Sequence, residues 1–395
     1  MHGVAEPDIH YQDTLSQRFA ERFPKEANGG FDLILANPPF TGSLDAEDVD
    51  PKILQVVKSK KTELLFVALI LKMLKIGGKA AIVLPLGVLE GESKSHKDLR
   101  RALLSNQVEA IISLPHWVFK PYASVATAIF IFSKGGSTDN VWFYKLTNDG
   151  YSDGAKKEPV EGSEIPEMLH LYNSRFDSDY SELRNKYRFV SFSEIKENDY
   201  DLCPNIYLRE YKYPSEYKTV RLGELFTIVK GSVGAANATE SGYEFVTSSG
   251  AFKKYPSYSF DGEAICIPLV SSTGHGHASI NHIHYVNDKF EAASILAVMM
   301  IKDKYKDDDL LKYAYAYLVT HKDDVLVPYM KGAANVSLNI SRLSKIKIPL
   351  PPLNVRLDIV TGFFKKRKEV VRLERELLDA IAEFNKISSQ VRGMI

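Results

Sequence analysis

Residues 31–40 read Phe31-Asp32-Leu33-Ile34-Leu35-Ala36-Asn37-Pro38-Pro39-Phe40, an apolar run that stops abruptly in Asn-Pro-Pro-Phe. Six residues that are apolar apart from Asp32 are typical of a strand buried on both faces of a mainly parallel sheet. The two prolines then end the strand. Ligands of open parallel sheets bind beyond the carboxyl ends of the strands, so we expect residues 37–40 to lie at a functional site.

The residues after this strand suit a reaction at an amino group whose lone pair is conjugated with a ring. Asn37 offers a side-chain oxygen, and the carbonyl of Pro38, held by the following proline, offers a second hydrogen-bond acceptor. Two acceptors favour a tetrahedral nitrogen whose lone pair points at an electrophile, so alignment supplies much of the catalysis. Phe40 can stack on a base extruded from a duplex. We therefore predict Asn37, Pro38, Pro39 and Phe40 as catalytic residues, with a plain rigid turn as the alternative.

A family resemblance supports this interpretation of Asn37-Pro38-Pro39-Phe40. The motif resembles that of amino-group methyltransferases that use S-adenosylmethionine, and residues 31–134 resemble the adenine-specific modification subunit of type I restriction-modification systems. The matching stretches include Leu74-Lys75-Ile76-Gly77-Gly78, Ile82-Val83-Leu84-Pro85 and Ile111-Ile112-Ser113-Leu114-Pro115. The resemblance implies S-adenosylmethionine as cofactor, double-stranded DNA as substrate, and methyl transfer to the exocyclic amine of adenine.

The first thirty residues depart from the pattern of that family. A cofactor-binding half with a glycine-rich turn would normally precede the catalytic strand, yet no Gly-x-Gly occurs before Asn37. The segment His10-Tyr11-Gln12-Asp13-Thr14-Leu15 resembles the cofactor segment of the family, which implies that Asp13 faces the adenine of the cofactor. The alternative is a solvated loop aspartate. We expect an amino-terminally truncated methyltransferase fold.

Strand and helix patterns alternate through the first half of the chain. This alternation predicts an α/β fold, with a partial doubly wound methyltransferase sheet in residues 1–204. We expect a mobile polar loop over residues 41–50. Trp117, Phe119 and Tyr122 could line a base pocket, although aromatic residues at strand ends more often belong to the core. The predicted helices cover residues 63–76 and 94–104, and the predicted strands cover residues 80–85, 108–114 and a hairpin of 125–132 with 141–146.

Residues 205–353 are organised differently, with glycine, serine and aromatic residues interrupting short strand-like runs. The opening Val220-Arg221-Leu222-Gly223-Glu224-Leu225 and the closing run of residues 346–353 resemble the frame of a target-recognition domain from a type I specificity subunit. We predict an α+β target-recognition domain here. Turns with small residues and lysine can approach phosphates, although each turn taken singly is also ordinary loop chemistry. The candidate DNA-binding residues are Lys230, Lys253, Lys254 and Lys331.

Residues 354–395 are predicted to form a long helix with a coiled-coil seam. Apolar residues recur there at alternating spacings of four and three, with one polar exception. We expect this helix to pair in a homodimer or with restriction-modification subunits, and packing on its own domain is the alternative. The seam residues are Ile359, Phe363, Lys366, Val370, Leu373, Leu377, Ala380, Phe384 and Ile387.

Composition places the chain among globular proteins. Its 395 residues are 45% hydrophobic, which is enough for two or three domains. Basic and acidic residues number 50 each, but residues 1–204 carry 24 basic and 29 acidic side chains, whereas residues 205–395 carry 26 and 21. Because only the second half has a basic excess, it is the better candidate for contact with DNA.

Several other classes of protein are not indicated. Cys203 and Cys266 form no Cys-x-x-Cys motif, so we expect a reducing cytoplasm and no thiolate zinc site. No signal-peptide pattern and no apolar span of 18 residues occurs, so we expect no membrane insertion. Four histidines lie close together in sequence without a cysteine or well-placed carboxylate, so no metal site is predicted. They are His275, His277, His282 and His284.

Three functions remain open at this point. The leading hypothesis is a fused modification-and-specificity polypeptide, resembling type IIG-like enzymes, that methylates a flipped adenine in a defined DNA sequence. The alternative is a catalytically incomplete DNA-binding module that lacks the cofactor-binding half. A third uses the same motif on a glutamine amide of a protein or on guanine in RNA, which the recognition-like domain disfavours.

Overall fold

The computed structural model describes residues 6–123, 125–176, 186–208, 216–273, 278–306, 309–332 and 336–392. The chain divides into two compact units, Met1–Glu210 and Tyr211–Ile395. No helix in the described ranges is long and apolar enough to cross a membrane.

The first unit contains nine helices and six strands within the described ranges. The helices are α1 (Gln17–Arg22), α2 (Pro24–Ala27), α3 (Pro51–Leu54), α4 (Thr62–Met73), α5 (Leu86–Glu90), α6 (Lys94–Leu104), α7 (Ile165–Asn173), α8 (Phe192–Glu197) and α9 (Pro204–Tyr207). The strands are β1 (Phe31–Ala36), β2 (Leu74–Pro85), β3 (Gln107–Ser113), β4 (Thr127–Ser133), β5 (Asn140–Lys145) and β6 (Tyr187–Ser191).

These strands form one sheet in the order β1-β2-β4-β3-β5-β6. Strands β1, β2, β3 and β5 run in one direction, and β4 and β6 run in the other. Helices α4 and α6 pack on each other and on β2 and β3. Met168 and Leu171 of α7 pack in a cluster with Ala110, Trp142 and Tyr187 of the sheet. The predicted α/β sheet is confirmed.

The expectation that β1 is buried on both faces was wrong. No residue of β1 is fully buried, and the side chains of Leu33 and Leu35 are 58% and 73% exposed. Among the described residues β1 pairs with β2 alone, so it lies at the edge of the sheet. An apolar run is therefore not enough to show how many neighbours a strand has.

The predicted hairpin of residues 125–132 with residues 141–146 was also wrong. These residues form β4 and β5, and β4 pairs with β2 and β3 and not with β5. The reason lies in the turn that follows β4. The amide of Gly135 donates to Asn106 Oδ1 at 2.8 Å, and the hydroxyl of Thr138 accepts from the amide of Val108 at 2.9 Å. These bonds hold the chain across the start of β3, so that β5 emerges on the far side of β3.

The second unit combines three small sheets with helices. Its helices are α10 (Leu222–Leu225), α11 (Leu310–Thr320), α12 (Lys322–Val325), α13 (Ile340–Lys345) and α14 (Leu353–Arg392). Its strands are β7 (Thr219–Arg221), β8 (Phe226–Lys230), β9 (Tyr243–Val246), β10 (Lys253–Tyr255), β11 (Glu263–Pro268), β12 (His284–Asn287), β13 (Phe290–Ala292), β14 (Leu296–Ile301) and β15 (Lys347–Pro349).

The first strand of the second unit pairs with the strand that precedes α14. The sheets have the orders β12-β11-β14-β8, β10-β9-β13 and β15-β7. In the last of these, Val220 lies opposite Ile348, so the opening and closing runs that framed the sequence prediction are neighbours in space.

The long carboxy-terminal helix was also predicted correctly. Its first turns pack on α11, where Val360 is 7% exposed and the ring of Phe364 lies 6.0 Å from that of Tyr315.

Candidate functional site

The carboxyl edge of the first sheet brings together the chain segments that follow β1, β2 and β3. In the parallel pair of β1 with β2, Ala36 lies opposite Ile82, so Asn37 emerges at the edge where β2 ends. Asn37 is exposed, Pro38 is buried, and Phe40 is half-buried. The side chain of Asn37 has no hydrogen-bond partner among the described residues, which leaves its oxygen available to a substrate.

The chain after this turn is held against the start of α4. The amide of Thr62 donates to the carbonyl of Gly42 at 3.1 Å, and the amide of Leu44 donates to the carbonyl of Lys60 at 2.9 Å. Glycine is needed at position 42, since a Cβ there would approach Thr62 Oγ1 to 2.6 Å. The expected mobile loop therefore starts with a segment that is hydrogen-bonded to the helix, and this segment anchors residues 37–40.

Two aromatic rings face each other at this edge. The ring of Phe40 meets that of Phe119, which follows β3, edge to face with centroids 5.1 Å apart. Tyr122 in the same loop is 95% exposed, whereas the indole nitrogen of Trp117 donates to Asp149 at 3.1 Å. Of the three aromatic residues considered for a base pocket, the structure places Phe119 beside Phe40 and commits Trp117 to a structural hydrogen bond.

The turn and the rings together suit a planar amine. The Asn37 oxygen and the Pro38 carbonyl are acceptors, and the Phe40 ring is an apolar surface next to them. Such an arrangement can hold a heteroaromatic amine by stacking its ring and accepting hydrogen bonds from its nitrogen.

Asp13 lies on the surface of the first unit. One of its oxygens accepts a hydrogen bond from the amide of Leu15 at 3.0 Å, and the carbonyl of Leu15 accepts one from the amide of Asp50 at 2.8 Å. Asp13 thus orders its own segment, and its role towards a cofactor stays a prediction.

Gly30 lies close to the backbone of α2. A Cβ at this position would lie 2.6 Å from the Cα atom of Glu26, so only glycine fits there.

The four candidate lysines of the second unit differ in accessibility. Lys230 ends β8 and is exposed, as are Lys253 and Lys254 in β10. Successive residues of a strand point to opposite faces, so Lys253 and Lys254 cannot both face one phosphate backbone. Lys331 is 6% exposed and its backbone pairs with Ser337, which makes it the least accessible of the four.

Of the four clustered histidines, the structure describes His282 and His284. His275 and His277 lie outside the described residues. His282 and His284 have ring centroids 6.2 Å apart. In the part of the chain that the structure describes, no three His, Cys, Asp or Glu side chains form a group that could hold a metal ion.

Sequence reasoning missed a basic run near the site, Lys58-Ser59-Lys60-Lys61. The run lies directly before α4. In the sequence, the only feature that could have identified it was a cluster of lysines at the start of a predicted helix. His96 is a buried histidine in the first turn of α6. It is 5% exposed, and its Nδ1 lies 2.6 Å from the hydroxyl of Ser93. Burial, assisted by the charges of Lys61 and Arg100, lowers the pKa of His96 to about 4.

Family models match both units of the chain. A model described as N-6 DNA Methylase matches residues 1–215. A model described as Type I restriction modification DNA specificity domain matches residues 214–383. A methylase model and a specificity model therefore follow each other in one polypeptide.

Individual relatives match the chain over part of their length. The type I restriction enzyme EcoEI methylase subunit of Escherichia coli is 28% identical over 254 residues, which are 61% of this chain and 51% of that subunit. The MpnII methylase subunit of Mycoplasma pneumoniae is 27% identical over 207 residues, or 50% and 37%. The solved methyltransferase subunit of a Streptococcus thermophilus type I system is 28% identical, with a TM-score of 0.42 over 50% of this chain and 41% of that one. The chain spans about half the length of these relatives or less.

The lowered pKa of His96 predicts how the stability of the first unit depends on pH. The unfolded side chain titrates near 6.5, so protonation favours the unfolded state between pH 6.5 and about 4. We expect the free energy of unfolding to be unaffected by His96 above pH 6.5 and to fall as the pH drops towards 4. The pH dependence should be shallower in His96→Gln.

Tryptophan fluorescence during urea unfolding measures this unit selectively, since both tryptophans of the chain, Trp117 and Trp142, belong to it. The exposed His170, changed to Gln, is the matched control and should leave the pH dependence unaltered. Equal pH dependence in wild type and His96→Gln would show that burial does not shift the pKa of this residue.

Proposed function

The chain belongs to the N-6 DNA methylase family, and we propose that it forms part of a sequence-specific DNA adenine amino-methyltransferase of a restriction-modification system. The observation that carries the proposal is the geometry of residues 37–40, where two acceptors and an apolar ring lie at the carboxyl edge of the sheet. The specificity domain in the same chain supports duplex DNA as the substrate.

In the proposed mechanism, residues of this chain orient the amine and exclude water from one side of the base. An adenine turned out of the duplex stacks on Phe40, with Phe119 closing the edge of the ring. The Asn37 side-chain oxygen and the Pro38 carbonyl each accept a hydrogen bond from one N–H of the exocyclic amine. This directs the nitrogen lone pair away from the ring and towards an electrophile.

S-adenosylmethionine would supply the methyl group in this reaction. Asp13 is the residue of this chain proposed to face the adenine of the cofactor, and one of its oxygens orders its own segment. We assign to the other site residues of this chain the steps that position the amine.

The second unit is proposed to read the DNA sequence. Lys230, Lys253 and Lys254 are accessible for contacts to phosphates, which position a protein on DNA without reading its sequence, and Lys253 and Lys254 point to opposite faces of β10. Lys331 would have to move out of its buried position to take part, so we rank it below the other three.

Replacing the amide of Asn37 tests the reaction. In the complete gene product, Asn37→Ala should lower transfer of labelled methyl groups from S-adenosylmethionine to duplex DNA by about 100-fold or more, since one of two amine-positioning acceptors is lost. The control Asn140→Ala changes an exposed residue at the opposite edge of the same sheet and should retain full activity. Wild-type activity in Asn37→Ala would contradict the proposal.

The match of the specificity-domain model to residues 214–383 favours a second candidate, a DNA-binding specificity module without methyl transfer of its own.

Calorimetric titration with S-adenosylmethionine and with duplex DNA tests the second candidate. This candidate predicts little heat with S-adenosylmethionine and binding of duplex DNA by residues 1–395. Tight cofactor binding by residues 1–395 would contradict it.

The far part of α14 is proposed to pair with the same helix of a second copy. Val370, Leu373 and Ile381 are 51%, 50% and 47% exposed, although the first turns of the helix are packed on α11. Forty residues of helix extend for about 60 Å at 1.5 Å per residue, which leaves ample length beyond that contact. A stripe of apolar side chains on such a helix is best buried against another helix.

Light scattering after gel filtration measures this pairing. Wild type should elute as a dimer, and Leu373→Glu should halve the mass, because it places a charge in the seam of both helices. Arg372→Gln alters the adjacent exposed position outside the seam and should remain dimeric. A monomeric wild type, or a dimer of Leu373→Glu, would contradict self-pairing.

A further inference from the structure

A basic cleft lies beside residues 37–40 and has no part in the chemistry derived above. Its volume is 570 Å³, and apolar side chains such as Leu54 and Leu64 form its floor. Three lysines and three serines also line it, and most of the lining surface is apolar; these residues are Lys58, Lys60, Lys61, Ser59, Ser93 and Ser95.

Two helix N-termini converge on this cleft. Helix α4 leads into β2 and α6 leads into β3, and these strands are parallel, so both helices start at the carboxyl edge of the sheet. Lys61 and Ser93 precede the two helices, and neither side chain caps its helix by a hydrogen bond. The amides of both first turns therefore add partial positive charge to that of the lysines.

The walls of the cleft are connected to each other. The hydroxyl of Ser95 donates to the carbonyl of Lys58 at 2.5 Å, which ties the start of α6 to the loop before α4. That loop is in turn bonded to the chain at Gly42 and Leu44. Ser43, which bridges to Lys61, is three residues from Phe40, a span of at most about 11 Å of extended chain.

Not all of the positive charge is compensated within the protein. Lys60 pairs with Asp45 at 2.8 Å, and Lys61 lies 4.0 Å from Glu63. Lys58 is exposed and has no ion-pair partner among the described residues. The hydroxyls of Ser93 and Ser95 are bonded within the protein, so the cleft offers an anion the ammonium group of Lys58 and two helix N-termini.

We propose that this cleft binds a backbone phosphate of the DNA strand beside the target nucleotide. The inference rests on the proposed function, which places the target base on Phe40. A phosphate within one or two nucleotides of that base would reach the cleft, and its contact with Lys58 would fix the strand while the base is out of the stack. The contact carries no sequence information, so it serves any target that the second unit selects.

The salt dependence of DNA binding tests the proposal in the full chain. Each phosphate neutralised adds about 0.9 to the slope of log affinity against log salt concentration, so Lys58→Gln should reduce the slope by about one. Lys52→Gln removes another exposed lysine from neighbouring α3, outside the cleft, and should leave the slope unchanged. In a methylating preparation, Lys58→Gln should raise KM for DNA with kcat retained.

The other outcomes of these measurements distinguish failure of the cleft proposal from failure of the proposed function. An unchanged slope in Lys58→Gln, with methyl transfer intact, overturns the cleft assignment and leaves the proposed function standing. A reduced slope without methyl transfer supports the cleft and counts against the proposed function. Thermal stabilisation of wild type by millimolar inorganic phosphate, with no change of slope in Lys58→Gln, would assign the cleft to a small anion and overturn the proposal. No binding to duplex DNA would overturn both.

Discussion

The parallel pairing of β1 with β2 is the constraint on which the first unit depends. It directs the chain after Ala36 and the chain after Pro85 to the same edge of the sheet. Helix α4, which connects the two strands, must then start at that edge. The hydrogen bonds from residues 42–44 to residues 60–62 follow from this arrangement. They hold the chain that follows Phe40 against the start of α4, so that the proposed amine site and the proposed phosphate cleft share one edge.

Local sequence predicted the parts of this site that depend on local chemistry. The apolar run and the two prolines were sufficient to predict a strand that ends at Asn37. The approach of Phe119 to Phe40 depends on the strand order β1-β2-β4-β3, which no local pattern reveals. The same limit explains the two errors in the fold. The position of β1 at an edge and the insertion of β4 between β2 and β3 are set by long-range pairing, with Asn106 and Thr138 as the residues that redirect the chain.

In the second unit, composition identified where lysines occur but not what they face. Lys331 lies in a turn of small residues, yet it is buried in the structure, and Lys253 and Lys254 alternate across β10. The heptad pattern of α14 predicted the helix correctly, because period is a local property. The pattern did not reveal that Val360 and Phe364 pack against α11. Apolar residues further along the helix are therefore the exposed ones.

We propose that residues 37–40 position the exocyclic amine of adenine in duplex DNA. Mass spectrometry of nucleosides measures the product of this reaction in the DNA of a methylation-deficient bacterial host that expresses the gene. We expect N6-methyldeoxyadenosine with the wild-type gene and none with a Phe40→Ala, Asn37→Ala double substitution. Methylated cytosine in place of methylated adenine, or N6-methyldeoxyadenosine at equal levels from both genes, would contradict it.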